Sequence, residues 1–238
     1  KFFRIGEFEV AGNSVRALNH TMSGIPGDAE SGLEIYGPSE YGGEVMAALL
    51  AAGQKFGLQE GGALSYPTST VESGWLGMPV PSIYSGDEYR EYRESLDEYS
   101  WEATTSLGGS YVHDRIEDYY VTPWELGYGR TINLDHDFVG REGLIARRDD
   151  RHRRKVWLVW NQEDVARIIA SSLFDETPAK YLNIPTPNYA GFNYDSVRTV
   201  DGTEVGWSGW AGYTRNLRNF ASLAVIEDSA AVQDKELT

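Results

Sequence analysis

The sequence predicts an α+β protein built in two parts. Strand-like segments joined by turn signals stand at both ends of the chain: Phe2 to Val10 with Ser14 to Leu18, and Val197 to Val200 with Glu204 to Gly209. Helix-like segments with apolar residues at three- and four-residue spacing lie between them, above all Glu40 to Phe56. A nine-residue charged run, Arg147 to Lys155, runs directly into the apolar Val156-Trp157-Leu158-Val159-Trp160. That change of character places a domain junction near residue 150, with parts 1–150 and 151–238.

Each element has a local reason. The first strand is rich in Phe, Val and Ile, and Gly12-Asn13 is a turn signal that makes Ser14 to Leu18 its hairpin partner. Ile25-Pro26-Gly27-Asp28 breaks the chain, and Leu33 and Ile35 flank Glu34 in a short strand. Pro38-Ser39 offers an N-cap for the helix over Glu40 to Phe56, whose Val45, Leu49, Ala52 and Phe56 share one face, and Gly57 stops it. Pro67 suits the first turn of a short helix over Tyr66 to Trp75. Met78-Pro79-Val80-Pro81 reads as an extended connector, Asp87 to Leu96 as a charged, exposed helix, and Tyr99 to Val112 as loop or strand. A strand over Thr131 to Leu134 and a helix over Phe138 to Arg148, started at Asp137, follow. Beyond the junction come a strand at Val156 to Trp160, a helix over Glu163 to Leu173, the Asp201-Gly202 hairpin and a strand at Ser222 to Ile226.

Bulk properties exclude several classes. With 238 residues the chain suffices for one large domain or two ordinary ones. A formal net charge of -15 argues against a nucleic-acid partner, because neutralising phosphates needs a basic face. Any anionic ligand must therefore be held by a local field that opposes the global one. The absence of cysteine removes disulfides, thiolate metal sites and a thiol nucleophile, and is compatible with the cytoplasm. No apolar run approaches the ~18 residues of a membrane span. His113 and His136 lack metal-ligand spacing, His20 reads as a hydrogen-bonded structural residue, and no phosphate loop, nucleophile elbow or dinucleotide fingerprint occurs.

Three sets of motifs occur in order. The first is Ser23-Gly24-Ile25-Pro26-Gly27 with Gly32-Leu33-Glu34-Ile35-Tyr36-Gly37-Pro38. The second runs from Gly61 to Trp75 and includes Tyr66 and Val71-Glu72-Ser73-Gly74-Trp75. The third is Thr122-Pro123-Trp124-Glu125-Leu126-Gly127-Tyr128-Gly129 with Asp137-Phe138-Val139-Gly140-Arg141-Glu142. Together they resemble the aminomethyltransferase (glycine cleavage T-protein) superfamily, and most closely its tetrahydrofolate-dependent aryl-ether O-demethylases acting on vanillate and syringate. The resemblance implies a three-domain protein around a folate channel. This chain would supply the second half of the folate-binding core and most of a β-barrel-like C-terminal domain. Lys1-Phe2-Phe3-Arg4-Ile5 reads like mid-domain strand sequence, which fits a fragment of such a protein.

The resemblance also assigns residues. A lone glutamate in a strand ordinarily faces water, but the family's matching Gly-x-Glu carboxylate binds the pterin ring, which makes Glu34 a cofactor-binding candidate. The physics is sound, since a carboxylate accepts two adjacent N–H donors as a fork. Tyr66 stands where ordinary T-proteins carry an arginine, and the demethylases carry a catalytic tyrosine there. An arginine stays protonated, whereas a phenol with a pKa of about 10 can give its proton to a phenolate leaving group of similar basicity. Trp75 matches a demethylase tryptophan near the folate, although large aromatics often serve the core. Thr122 to Gly129 and the Asp137 helix start read as structural, and the charged run reads as a solvated interdomain loop. The expected function is transfer of a methyl group from a methoxylated aromatic acid to N5 of tetrahydrofolate, with no metal. An aminomethyltransferase or a non-catalytic folate-binding module are the alternatives.

Overall fold

The computed structural model describes residues 4–20, 32–76, 85–104, 106–184 and 191–238. It is a mixture of helix and sheet, as the α+β expectation requires, and it divides into two compact units, Lys1–Trp75 and Leu76–Thr238. The charged run Arg147 to Lys155 lies within the second unit.

In the first unit, β1 (Ile5–Val10), β2 (Asn13–His20) and β3 (Gly32–Tyr36) form an antiparallel sheet in that order. The hairpin turn is Ala11-Gly12, one residue earlier than expected, and Asn13 pairs with Val10. Both turn residues have positive φ, 52° and 78°, the backbone that lets a two-residue turn match the strand twist. The Asn13 amide donates to the Ala11 carbonyl (3.3 Å) and to Glu44 (3.1 Å), which ties the turn to the following helix. Strand pairing puts Ile5, Glu7, Arg16, Leu18, Glu34 and Tyr36 on one face. Val15 and Ala17 point the other way and are buried. Phe2, the Ile25–Asp28 breaker and the Ser23-Gly24 that precedes it in the first motif lie outside the described residues.

The helix expected over Glu40 to Phe56 is α1 (Gly42–Gly53) with a 3-10 turn at each end. Ser39 makes no cap bond, and of the expected apolar face Val45 is buried while Phe56 is 80% exposed. α2 (Ser65–Ser73) carries Pro67 in its first turn. It closes where the Gly74 and Trp75 N–H groups return to the Val71 and Thr70 carbonyls, at 3.2 and 3.1 Å.

The second unit begins with a 3-10 turn and α3 (Arg90–Ser95), the expected charged helix. Met78 to Pro81 lie outside the described residues. A helical turn, α4 (Trp101–Thr104), precedes β4 (Ser106–Gly108) in the segment expected as loop or strand. The strand expected over Thr131 to Leu134 does not form. There the Thr131 hydroxyl donates to the Tyr128 carbonyl at 2.7 Å, and Arg141 Nε donates to the Leu134 carbonyl at 2.9 Å. Helix α5 (Arg141–Arg147) is correspondingly shorter than expected, follows Gly140, and has no side-chain cap from Asp137 or any other residue.

β5 (Arg154–Val159), α6 (Gln162–Phe174), β6 (Gly191–Asn193), β7 (Asp195–Arg198), β8 (Glu204–Thr214) and β9 (Asn219–Ile226) complete the unit. α6 starts at Asn161, whose side-chain oxygen accepts from the Glu163 and Asp164 amides at 2.9 and 3.3 Å. The sheet is open, antiparallel and ordered β5-β9-β8-β7. β9 is buried on both faces from Ala221 to Ile226, which is why that stretch reads as an almost unbroken apolar run. Val156, Leu158, Val197, Ala224 and Ile226 share one face and are covered by Ala230, Ala231 and Leu237 of the C-terminal segment. On this face of the central strands the Ser208 hydroxyl donates to the Ser222 hydroxyl at 2.7 Å, and Trp160 donates to Ser222 at 3.0 Å. Trp207, Leu223 and Val225 occupy the other face. β8 runs longer than the sequence suggested because a bulge at Trp210 (φ 48°) lets it bend and continue.

β4 and β6 pair in parallel and bring Gly109 against the backbone of Tyr194. A Cβ on Gly109 would stand 2.0 Å from the Tyr194 carbonyl oxygen, at a φ of 104°. Gly109→Ala therefore lowers stability by about 2 kcal/mol or more in chemical denaturation, since it adds backbone strain to a clash. Leu223→Ala, which empties a fully buried site in β9, costs about 2–5 kcal/mol in the same measurement.

Candidate functional site

All three residues assigned from motif resemblance fall in the first unit. Glu34 is exposed at the centre of β3, directly opposite Leu18 of β2. It lies on the sheet face that does not carry the buried Val15 and Ala17. The Tyr36 hydroxyl, two residues along the same face, is hydrogen-bonded to the Glu34 carboxylate, and that bond holds the phenol above its usual pKa. Tyr66 is the second residue of α2, and its side chain lies outside the described part of the structure. Trp75 is half-buried just past the other end of α2, beyond the left-handed Gly74 that closes the helix. Thr70 and Val71, between them on α2, are fully buried. His20's side chain also lies outside the described residues.

The second unit holds a constellation built on the Thr122 to Gly129 motif, which the sequence reads as structural. In the Thr122 to Gly129 segment, the Thr122 N–H donates to Glu125 Oε2 at 2.6 Å, and the Glu125 N–H donates to the Thr122 hydroxyl at 3.3 Å. This is the reciprocal capping box of a Thr-x-x-Glu sequence, here closing a turn. The other Glu125 oxygen accepts from Arg153 Nε at 2.8 Å and from the Arg153 amide at 3.4 Å, while Arg153 Nη2 donates to the Tyr120 carbonyl at 2.6 Å. Trp124 stacks on His152 with ring centroids 4.8 Å apart, and Lys155 Nζ stands 5.7 Å from the Tyr128 ring centre. Gly129 is required because a Cβ there would lie 2.8 Å from the Trp124 ring. The charged run is thus only partly solvated: Arg153 and Lys155 pack against the Thr122 segment, and β5 begins within the run.

The Arg153 side chain separates two clefts. The first, of about 410 Å³, is lined by Tyr111, His113, Asp118, Arg153, Glu204 and Glu227 among others. His113 lies between two carboxylates, with Nε2 2.8 Å from Glu204 and Nδ1 3.7 Å from Asp118. Its ring also packs on Tyr111 at 4.1 Å. Glu204 further accepts from the Ser196 hydroxyl at 2.6 Å and from Arg198 at 3.3 Å. Partial burial opposes ionisation of Glu204, but these donors outweigh it and hold its carboxyl below the usual range. Beneath the cleft, Tyr111, Tyr119, Tyr194 and Trp207 form an edge-to-face chain with centroids 4.8–5.4 Å apart. Burial raises the Tyr194 phenol far above its ordinary pKa. The second cleft has a volume of about 380 Å³. Sequence spacing could not show the His113–Glu204 pair, because its partners are 91 residues apart.

Among the described residues no group of three or more His, Cys, Asp or Glu side chains is arranged to hold a metal ion. Among the same residues no helix is long and apolar enough to cross a membrane.

No family model matches the chain. It is 39% identical over 238 residues, its whole length, to syringate O-demethylase of Sphingobium sp. (strain NBRC 103272 / SYK-6). It is 29% identical over an alignment 246 residues long, which covers 96% of the chain, to sesamin methylene transferase of Sinomonas sp. (strain No.22). The chain spans about half the length of these relatives, 50% and 52% respectively.

Burial works against the Glu125 charge, but the Arg153 and Thr122 bonds prevail and lower its pKa from the ordinary 4.5. A carboxylate depressed in the folded state stabilises above the unfolded value and loses that contribution as pH falls through the folded value. Glu125→Gln should therefore lower stability by about 2–3 kcal/mol near neutral pH. The gap between variant and parent should narrow as pH drops below 4.5, measured as urea unfolding at a series of pH values.

Proposed function

We propose that the full-length protein to which this chain belongs is a tetrahydrofolate-dependent O-demethylase. It would move the methyl group of a methoxylated aromatic acid, of the vanillate or syringate type, to N5 of tetrahydrofolate. The observation that carries this reading is the full-length similarity to half of a syringate O-demethylase. Tyr66 adds to it, because it stands where the aminomethyltransferases the chain resembles have an arginine. A methylene transferase among the relatives is in keeping with one-carbon chemistry at an ether oxygen.

The residues fit the cofactor in kind. Glu34 offers a solvent-accessible carboxylate, the acceptor that the two adjacent donors of a pterin edge require. The Tyr36 hydroxyl already donates to that carboxylate and helps to fix its orientation. Trp75 supplies a flat apolar surface for a flat ring. When bound, tetrahydrofolate supplies the nitrogen that accepts the methyl carbon. The chain's own work is to hold the reactants in line and to supply a proton. As the methyl–oxygen bond breaks, its electron pair stays on the aryl oxygen, which would take the Tyr66 hydroxyl proton; the proton that the accepting nitrogen loses on methylation would return through solvent to the Tyr66 phenolate, so that the net change is one methyl exchanged for one proton. The two phenols have similar basicity, so the transfer is close to thermoneutral, and matched pKa values make general acid catalysis effective. Positioning two reactants contributes a further large share of the rate.

Full-length protein incubated with syringate or vanillate and tetrahydrofolate should release the demethylated phenol and 5-methyltetrahydrofolate, read by chromatography. Tyr66→Phe should keep folate binding and slow turnover by roughly a hundredfold or more. Glu34→Gln should weaken folate binding by about tenfold or more. A full-length protein that binds tetrahydrofolate but demethylates neither acid would refute the assignment, and a Tyr66→Phe enzyme at full rate would remove the proton donor.

A further inference from the structure

The second cleft, of about 380 Å³, lies wholly within the second unit. Its volume is in the range of small-ligand sites. Four arginines are among the residues that line it, Arg115, Arg147, Arg151 and Arg153, against three acidic residues, Glu117, Glu125 and Asp150. Two of those carboxylates are already engaged: Glu125 holds Arg153 at 2.8 Å, and Glu117 stands 3.6 Å from Arg115. Arg147 and Arg151 make no ion pair among the described residues, and of the acidic residues that line the cleft Asp150 remains.

The surroundings reinforce this local sign. Residues 147 to 155 hold five arginines and a lysine against two aspartates, a net of +4 in a chain whose total is -15. Arg147 ends α5, where the exposed carbonyls favour a cation and help to keep its guanidinium in place. In the wall of the same cleft, Nε2 of His152 is buried and makes no hydrogen bond. Buried polar atoms are rarely left without a partner, so this one marks a place where a ligand group or water is wanted. Across the cleft, the Tyr120 and Thr122 backbone is fixed by its bonds to Arg153 and Glu125. A planar guanidinium fork recognises an oxyanion in two-point contact.

We propose that this cleft binds an oxyanion carrying two or more negative charges, held by Arg147 and Arg151. The proposal rests on the second unit alone and does not depend on the one-carbon chemistry proposed above. The shared chemistry is a cluster of anionic oxygens, borne either as phosphate or as carboxylate.

Calorimetric titration of the full chain with inorganic pyrophosphate and, separately, with citrate tests it at low ionic strength. At least one of the two should bind with 1:1 stoichiometry at millimolar concentration or below. The double variant R147Q/R151Q should weaken that binding by about tenfold or more. R90Q/R167Q removes the same two charges from exposed arginines outside the cleft and should leave binding unchanged. Binding of pyrophosphate alone assigns a phosphate ligand, binding of citrate alone assigns a polycarboxylate, and binding of both assigns a general oxyanion site. The proposal is overturned if neither anion binds, or if the two double variants weaken binding equally.

Discussion

The second unit is organised around one buried ion pair. Glu125 and Arg153 are 9% and 18% exposed, and taking two such charges out of water is favourable only when their remaining hydrogen-bonding groups also find partners. Here they do. One Glu125 oxygen takes Arg153, the other takes the Thr122 amide, and Arg153 reaches on to the Tyr120 carbonyl. The pair fixes the Thr122 to Gly129 turn against the start of β5, and so joins a segment without regular structure to the edge strand of the four-stranded sheet. It also divides the space around it: the Arg153 side chain is a wall of both clefts.

The two clefts differ in electrostatic character. One is dominated by carboxylates and a histidine bridged between two of them, above a floor of edge-to-face aromatics. The other gathers arginines from the charged run. In a strongly acidic chain, only a short-range concentration of positive charge can hold an anion, because screening over about 8–10 Å removes most longer-range contributions. The basic run therefore has a physical role available to it that a solvated loop would not have.

Much of the fold was legible because it is written in local patterns. The first hairpin, the Glu34 strand, the helices at α1, α2, α3 and α6, the Asp201-Gly202 hairpin and the strands β5 and β9 follow from turn residues, caps and periodicity. The failures share one cause. The Thr131 to Leu134 segment has suitable residues but pairs with no strand among the described residues; its Thr131 amide and hydroxyl donate back to the Tyr128 carbonyl, and Arg141 takes up the Leu134 carbonyl. Helix α5 starts later than Asp137 because the left-handed Gly140 interrupts the helical backbone. The charged run looked solvated because composition alone does not reveal that Glu125, 28 residues earlier, is aimed at Arg153.

The sequence by itself determined most of the secondary-structure elements and, through the resemblance of its motifs to a known family, named Glu34, Tyr66 and Trp75 as candidates. It also contained the Thr122-x-x-Glu125 signature, since a capping box is a contact between residues three apart. Tertiary structure alone decided the rest. It put His113 beside Glu204 across 91 residues, buried β9 on both faces, and collected Arg115, Arg147 and Arg151 around one cleft. Those arrangements depend on the path of the chain between distant residues, and no local spacing encodes that path.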